Sequence, residues 1–261
     1  MIEWRDDGIV LSAKPHGEDA VVVQLLTRQQ GRHAGLARGG QSRSKRGIFQ
    51  PGNRVDATWR ARLADHLGNL TCEPLDSPAA RLMDETERLT ALSAAMAVAE
   101  SALPERVAQP AAYDGTLALL DALEGAHWAE TLVHWELLLL RELGFGLDLS
   151  ACAGGGPNDQ LAYVSPRTGR AVSLSAGEPY RDKLLVLPGF LAGYGGGGVN
   201  EVAQGLALTG HFLSRHVFHP GDRELPAARQ RLAERFRRKA APPDADADAA
   251  PTAVQLVPAR D

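Results

Sequence analysis

Arg54-Val55-Asp56-Ala57-Thr58-Trp59-Arg60-Ala61-Arg62-Leu63 is the stretch on which the fold of this chain turns. Val55, Ala57, Trp59, Ala61 and Leu63 alternate with polar neighbours, and a period of two puts one face on a core and the other in water. This reads as a strand. Outward from it lie two shorter β-rich runs, Ile9-Val10-Leu11 and Val21-Val22-Val23-Gln24-Leu25-Leu26, broken by turn formers at Pro15-His16-Gly17 and Gln29-Gln30-Gly31. A further strand pair turns near Asp65-His66-Leu67-Gly68-Asn69. About five short strands in so short a segment suit a small closed or partly open barrel, such as the OB-fold, better than a sandwich.

Beyond Pro74 and Pro78 the apolar period lengthens to that of a helix. Leu89, Leu92, Met96, Ala99 and Leu103 fall on one stripe, and Pro104 stops it. Trp128, Leu132, Trp135, Leu139 and Leu143 repeat the pattern, and Leu137, Leu138 and Leu140 carry apolar character round most of the circumference. Such a helix belongs at the centre of a bundle, with a left-handed glycine cap at Gly144 or Gly146. Gly154-Gly155-Gly156-Pro157 and Ser165-Pro166-Arg167-Thr168-Gly169 interrupt the helices and read as an irregular flap or short hairpin. Helical patterning resumes with Val199, Val202, Leu206 and Leu213, and after Leu225-Pro226 over 229–238. The expected architecture is therefore α+β in two domains. Residues 1–77 form an OB-fold β-barrel, and residues 78–240 an all-α helical domain with its flap at about 150–178. Residues 241–261, rich in Pro, Ala and Asp, read as a disordered tail.

At 261 residues and 44% hydrophobic the chain has material for a sizeable core. Its two cysteines, Cys72 and Cys152, lack any CxxC partner, which argues against a disulfide framework or an all-cysteine metal site. The N-terminal residues are acidic where a signal peptide is basic and apolar, and no apolar run suits a membrane span, so a cytoplasmic protein is expected.

Charge placement is more informative than the net charge of −4. Arg28, Arg32, Arg38, Arg43, Lys45, Arg46, Arg54, Arg60 and Arg62 lie between residues 28 and 62 against a single acid, Asp56. Within that segment Gly39-Gly40-Gln41-Ser42-Arg43-Ser44-Lys45-Arg46-Gly47 forms a mobile basic loop between strands. Phosphates attract such loops, because releasing their condensed counterions supplies affinity independent of sequence. A solvated loop without a partner is the alternative. Candidate DNA contacts are Arg28, Arg32, Arg38, Arg43, Lys45, Arg46 and Arg54. Trp59, on the apolar side of its strand, is assigned to the core, and Phe49 is the better candidate for base stacking although core packing suits it too.

Catalytic readings fail on the residues. Gly193-Tyr194-Gly195-Gly196-Gly197-Gly198 follows no strand and precedes no Lys-Ser/Thr pair, so it is no phosphate loop. His211, His216 and His219 lack a carboxylate ligand motif, and Cys152 lacks a base. No catalytic residue, metal ligand or cofactor is assigned.

The basic loop, the buried helix and the flap together resemble the bacterial recombination mediator family RecO, over residues 1 to about 238. The resemblance rests on Gly8-Ile9-Val10-Leu11 with Gly17-Glu18-Asp19, on Gly40-Gln41-Ser42-Arg43-Ser44-Lys45-Arg46 followed by Gln50-Pro51, and on Trp135-Glu136-Leu137-Leu138-Leu139-Leu140 through Leu143-Gly144-Phe145-Gly146 to Cys152. It implies an OB-fold, a helical domain, binding of single- and double-stranded DNA, and strand annealing. It also implies work with RecR and with the acidic tail of single-stranded-DNA-binding protein so that RecA can load, in the cytoplasm at the nucleoid. Some members hold zinc in the flap with CxxCG and CxxC. Here only Cys152 matches, the later pair falling near Ser173 and Ala176, so no structural zinc is expected. The stretch before Trp135 reads Leu132-Val133-His134 and lacks the arginines such a partner tail would call for. Phe212, Arg215, Arg231 and Arg235 are the substitute candidates for partner binding. Two other classes compete with a DNA-binding mediator: an adaptor whose basic barrel contacts an acidic protein surface, and a nuclease or nucleotide-dependent enzyme, which the missing motifs disfavour.

Overall fold

The computed structural model describes residues 1–155 and 160–241. All of the expected tail but Ala241, and part of the glycine run of the flap, lie outside the described residues. Five strands, β1 (Ile2–His16), β2 (Ala20–Thr27), β3 (Gly31–Ala37), β4 (Arg54–Ala61) and β5 (Asn69–Asp76), close into a barrel in the order β1-β2-β3-β5-β4. β1 is long enough to pair antiparallel with β2 through one half and with β4 through the other, and its register shifts between Val10 and Ser12. The alternation of β4 is realised: Val55, Ala57, Trp59 and Ala61 point inward with Val10, Val23, Leu25 and Leu70. Trp59 is fully buried, donates its indole N–H to the Leu67 carbonyl at 2.8 Å, and stacks on Trp4.

Helices α1 (Pro78–Arg81), α2 (Thr86–Ala102), α3 (Pro110–Ala122) and α4 (Trp128–Glu142) follow the barrel. α4 packs against α2 and α3 and, from later in the chain, α7 (Val199–Phe212), the central place its apolar circumference called for. Its C-terminal turn closes with Gly144 at φ +88°, as expected. α3 was not legible in the sequence. Its buried stripe is Ala112, Tyr113, Thr116, Leu119 and Leu120, and two of the five, Ala112 and Thr116, carry little apolar weight. Gly115 sits where a Cβ would lie 2.1 Å from Leu138 Cδ2, so the small residue sets how closely α3 approaches α4.

The flap is more ordered than an irregular excursion. β6 (Leu161–Val164) pairs with β7 (Ala171–Ser173) and, on its other edge, with β8 (Leu185–Val186), and α5 (Leu174–Gly177) and α6 (Gly189–Ala192) flank this sheet. The short hairpin that this part of the chain suggests is realised as β6 and β7, and β8 adds a third strand that two residues could not announce. After α7 a π-helical turn, Leu213–Phe218, leads towards α8 (Ala227–Ala240), which packs on α2 and α7.

One buried ion pair ties the helices together. Arg229 of α8 donates from Nε to Glu136 Oε1 at 2.5 Å and from Nη2 to Oε2 at 2.8 Å, and the Thr209 hydroxyl donates to the same carboxylate. Both side chains are shut off from solvent. Barrel and helices also share a core, because Ile9, Leu11 and Leu26 face out of the barrel into the cluster formed by Leu92, Met96 and Leu103.

Candidate nucleic-acid interface

Between β3 and β4 the chain runs through residues 38–53 in successive hydrogen-bonded turns rather than as an open loop. Lys45 N and Arg46 N both donate to the Ser42 carbonyl, and Ile48 N donates to Lys45 O. Several anchors hold this segment on the barrel. The Gln41 amide donates to the carbonyls of Gly17 and Ala20 at 3.1 and 2.9 Å, Phe49 enters the barrel core, and Asn53 Nδ2 donates to Gly47 O at 2.8 Å. Its polar residues have nowhere to go but outward.

Arg38, Arg43, Lys45 and Arg46 are accordingly exposed, and among the described residues none of the four makes an ion pair. Lys14, at the end of β1, joins them across a cavity of about 550 Å³ walled by Ala13, Pro15, Val21, Phe49 and Pro51, into which Arg46 also faces. A second cavity of about 340 Å³ lies on the other side of Phe49 and is edged by Arg38 and Lys45. Lys14 escaped the sequence reading because it stands alone before Pro15-His16-Gly17, away from the basic run.

The other three DNA candidates are turned elsewhere. Arg28 pairs with Asp114 of α3 at 3.0 Å. Arg32 donates to the Leu103 carbonyl at 2.8 Å and to Glu105 at 3.1 Å, with its side chain only 16% exposed. Arg54 Nε is buried, and its charge acts on Asp76 and Tyr113. The β2–β3 turn and the start of β4 abut the helices, so basic residues there serve the contact between barrel and helices. Sequence spacing cannot separate these two populations, since both lie in one basic run.

A separate groove of about 710 Å³ runs along the surface where α7 and α8 meet. Leu206, Ala207, Leu225 and Ala233 line it, with Arg215 and Arg237 at its edge. Of the partner-binding candidates only Arg215 borders this groove. Phe212 is buried, its ring against His211 and His216, and so offers no face to a partner. Arg235 pairs with Glu87 of α2 at 3.3 Å, and Arg231 is exposed away from the groove.

Of the flap positions where some family members carry zinc cysteines, Cys152 and Ser173 meet: Cys152 Sγ donates to Ser173 Oγ at 3.4 Å and accepts from Ser173 N at 3.2 Å, whereas a Cβ at Gly155 would meet nothing within 4 Å. One thiol and one hydroxyl beside glycine and alanine do not fit a tetrahedral thiolate site for zinc. His216 is stacked between Phe145 and Phe212, and among the described residues no cluster of His, Cys, Asp and Glu could hold a metal ion. Among the same residues no helix is long and apolar enough to cross a membrane.

Comparison with known proteins settles the family. Residues 1–78 match the model described as recombination protein O N terminal, and residues 83–225 match recombination protein O C terminal. The chain belongs to the RecO family of DNA repair proteins. It is 59% identical over 239 residues to the DNA repair protein RecO of Rhodospirillum centenum, covering 91% of this chain and 96% of that one. It is 54% identical over 246 residues to RecO of Rhodospirillum rubrum, covering 91% and 98%. RecO of Dinoroseobacter shibae is 49% identical over 235 residues, covering 89% and 97%. The RecO N-terminal match coincides with the five-stranded barrel, which is the OB-fold expected from β4 and its neighbours.

Proposed function

We propose that this protein is a non-catalytic recombination mediator of the cytoplasm and nucleoid. It binds single- and double-stranded DNA on the loop-bearing end of its barrel and anneals complementary strands. With RecR and single-stranded-DNA-binding protein it helps RecA to load. The observation that carries this reading is the group Arg38, Arg43, Lys45 and Arg46, exposed and without ion pairs among the described residues, on a chain of net charge −4. Like charges held together on a rigid platform repel one another, and a polyphosphate relieves that repulsion while releasing its counterions.

Binding of a labelled oligonucleotide measured against salt tests it. With about six phosphates neutralised on a single strand, log K falls with log salt at a slope of roughly −4. Changing Arg43, Lys45 and Arg46 together to Ala weakens binding to all sequences alike and flattens that slope. Unchanged affinity in the triple variant removes the loop from the site.

The groove between α7 and α8 supports a separate docking role for the helical part. Its apolar floor suits the terminal side chain of a short acidic tail and Arg215 suits a carboxylate, whereas Arg237 is already paired with Glu234 at the groove's edge. Arg215→Glu is expected to lose such a peptide in calorimetry while Arg43→Ala keeps it. An adaptor acting through an acidic protein surface would instead show the barrel binding that surface and leaving DNA free.

A further inference from the structure

The cavity beside Phe49 has more shape than electrostatic capture of a backbone requires. Ala13, Pro15, Val21, Phe49 and Pro51 give it apolar walls, while the Gln50 side-chain amide, exposed at its edge, makes no hydrogen bond among the described residues. Two cations border it from different elements, Lys14 from the end of β1 and Arg46 from the basic segment. Lys14 meets Glu100 at 3.4 Å but is 74% exposed, so that contact is easily exchanged for a phosphate. Gln41, which also lines the cavity, is by contrast occupied by the carbonyls of Gly17 and Ala20.

We infer that this cavity is a nucleobase site, in which one base swung out of a single strand lies between Pro15 and Pro51, over the buried Phe49, while Lys14 and Arg46 hold the phosphates on either side of it. This rests on the reading of the loop as the DNA-binding surface and adds a subsite to it. The faces of a base gain by leaving water, and its edge needs a hydrogen-bonding group. A primary amide presents both donor and acceptor, so Gln50 serves any of the bases and the site is blind to sequence. A paired base cannot enter without being unstacked, which makes the cavity a device for preferring single strands over duplex.

Fluorescence anisotropy on the full chain tests this with three probes: a labelled oligothymidylate, a strand of equal length whose sugars carry no bases, and a duplex. The thymidylate strand is expected to bind about tenfold tighter than the base-free strand. Ala13→Phe, which fills the cavity without changing charge, should bring the thymidylate strand down to the base-free level and leave the base-free strand unaffected. Circular dichroism reports whether that variant folds. If it does not, Gln50→Ala, at an exposed position, should narrow the difference between the two strands. Equal affinity of the wild-type chain for both strands overturns the base site and leaves the electrostatic reading standing. A folded Ala13→Phe chain that keeps the thymidylate preference also overturns it. Failure to bind either strand overturns the electrostatic reading and the subsite with it.

Discussion

Glu136 and Arg229 are each buried, and each depends on the other for its charge to be matched. The carboxylate accepts from Arg229 through two nitrogens and from Thr209, so its charge is matched on several sides. Removing one partner leaves the other charge buried and uncompensated, a loss of about 3–5 kcal/mol. Glu136→Ala is therefore expected to lower the denaturation midpoint sharply. The double change Glu136→Leu with Arg229→Met should cost much less, and equal losses in the two would refute the account. In the barrel, His33 is packed edge-on to Trp59 at 4.8 Å, and neither ring nitrogen has a partner. Burial, then the charge of Arg106, push its pKa down to about 4, against a raising effect from Glu105. A depressed histidine favours the folded state fully above the unfolded value of about 6.5, and that stability is lost as pH falls towards 4. Thermal melts between pH 7 and 4 should show this loss, and His33→Phe should reduce it.

The elements differ in how plainly their sequence announces them. β4 and α4 were readable because each repeats large apolar residues at one period over two or more turns of its pattern. α3 was not, because Ala112 and Thr116 are two of its five buried residues and Gly115 breaks its propensity. The flap was readable only as an irregular flap or short hairpin, because its strands are four, three and two residues long. The basic loop was legible as charge, but its turns and its anchoring by Gln41, Phe49 and Asn53 were not, since hydrogen bonds to carbonyls leave no mark on composition. In the flap, the Cys152 thiol bonded to Ser173 stands where some relatives place metal. Folding there is not coupled to zinc, so a chelator is expected to leave the melting temperature unchanged. Elemental analysis finding one equivalent of zinc would contradict this.

At the scale of the molecule, the basic run carried by the barrel divides into two populations by where its strands meet the helices. Arg28 and Arg32 reach Asp114 and the Leu103 carbonyl, and Arg54 is half-buried near Asp76 and Tyr113. Arg38, Arg43, Lys45 and Arg46 stand in solvent at the other end. The first set closes a boundary that already shares a core through Ile9, Leu11 and Leu26, so its loss should act on folding. Arg32→Ala leaves a buried carbonyl without its donor, at a cost of about 1–3 kcal/mol, and should lower the melting temperature while oligonucleotide affinity is kept. Lys45→Ala should do the reverse, because an exposed unpaired lysine contributes almost nothing to folding and its phosphate contact is lost at every sequence. The two sites share no partner, so in the double variant the stability loss should match Arg32→Ala alone and the affinity loss Lys45→Ala alone. Melts and anisotropy on these three variants decide the division. If Arg32→Ala weakens DNA binding as much as Lys45→Ala while remaining folded, the boundary arginines belong to the interface and the phosphate path continues along the barrel towards the helices.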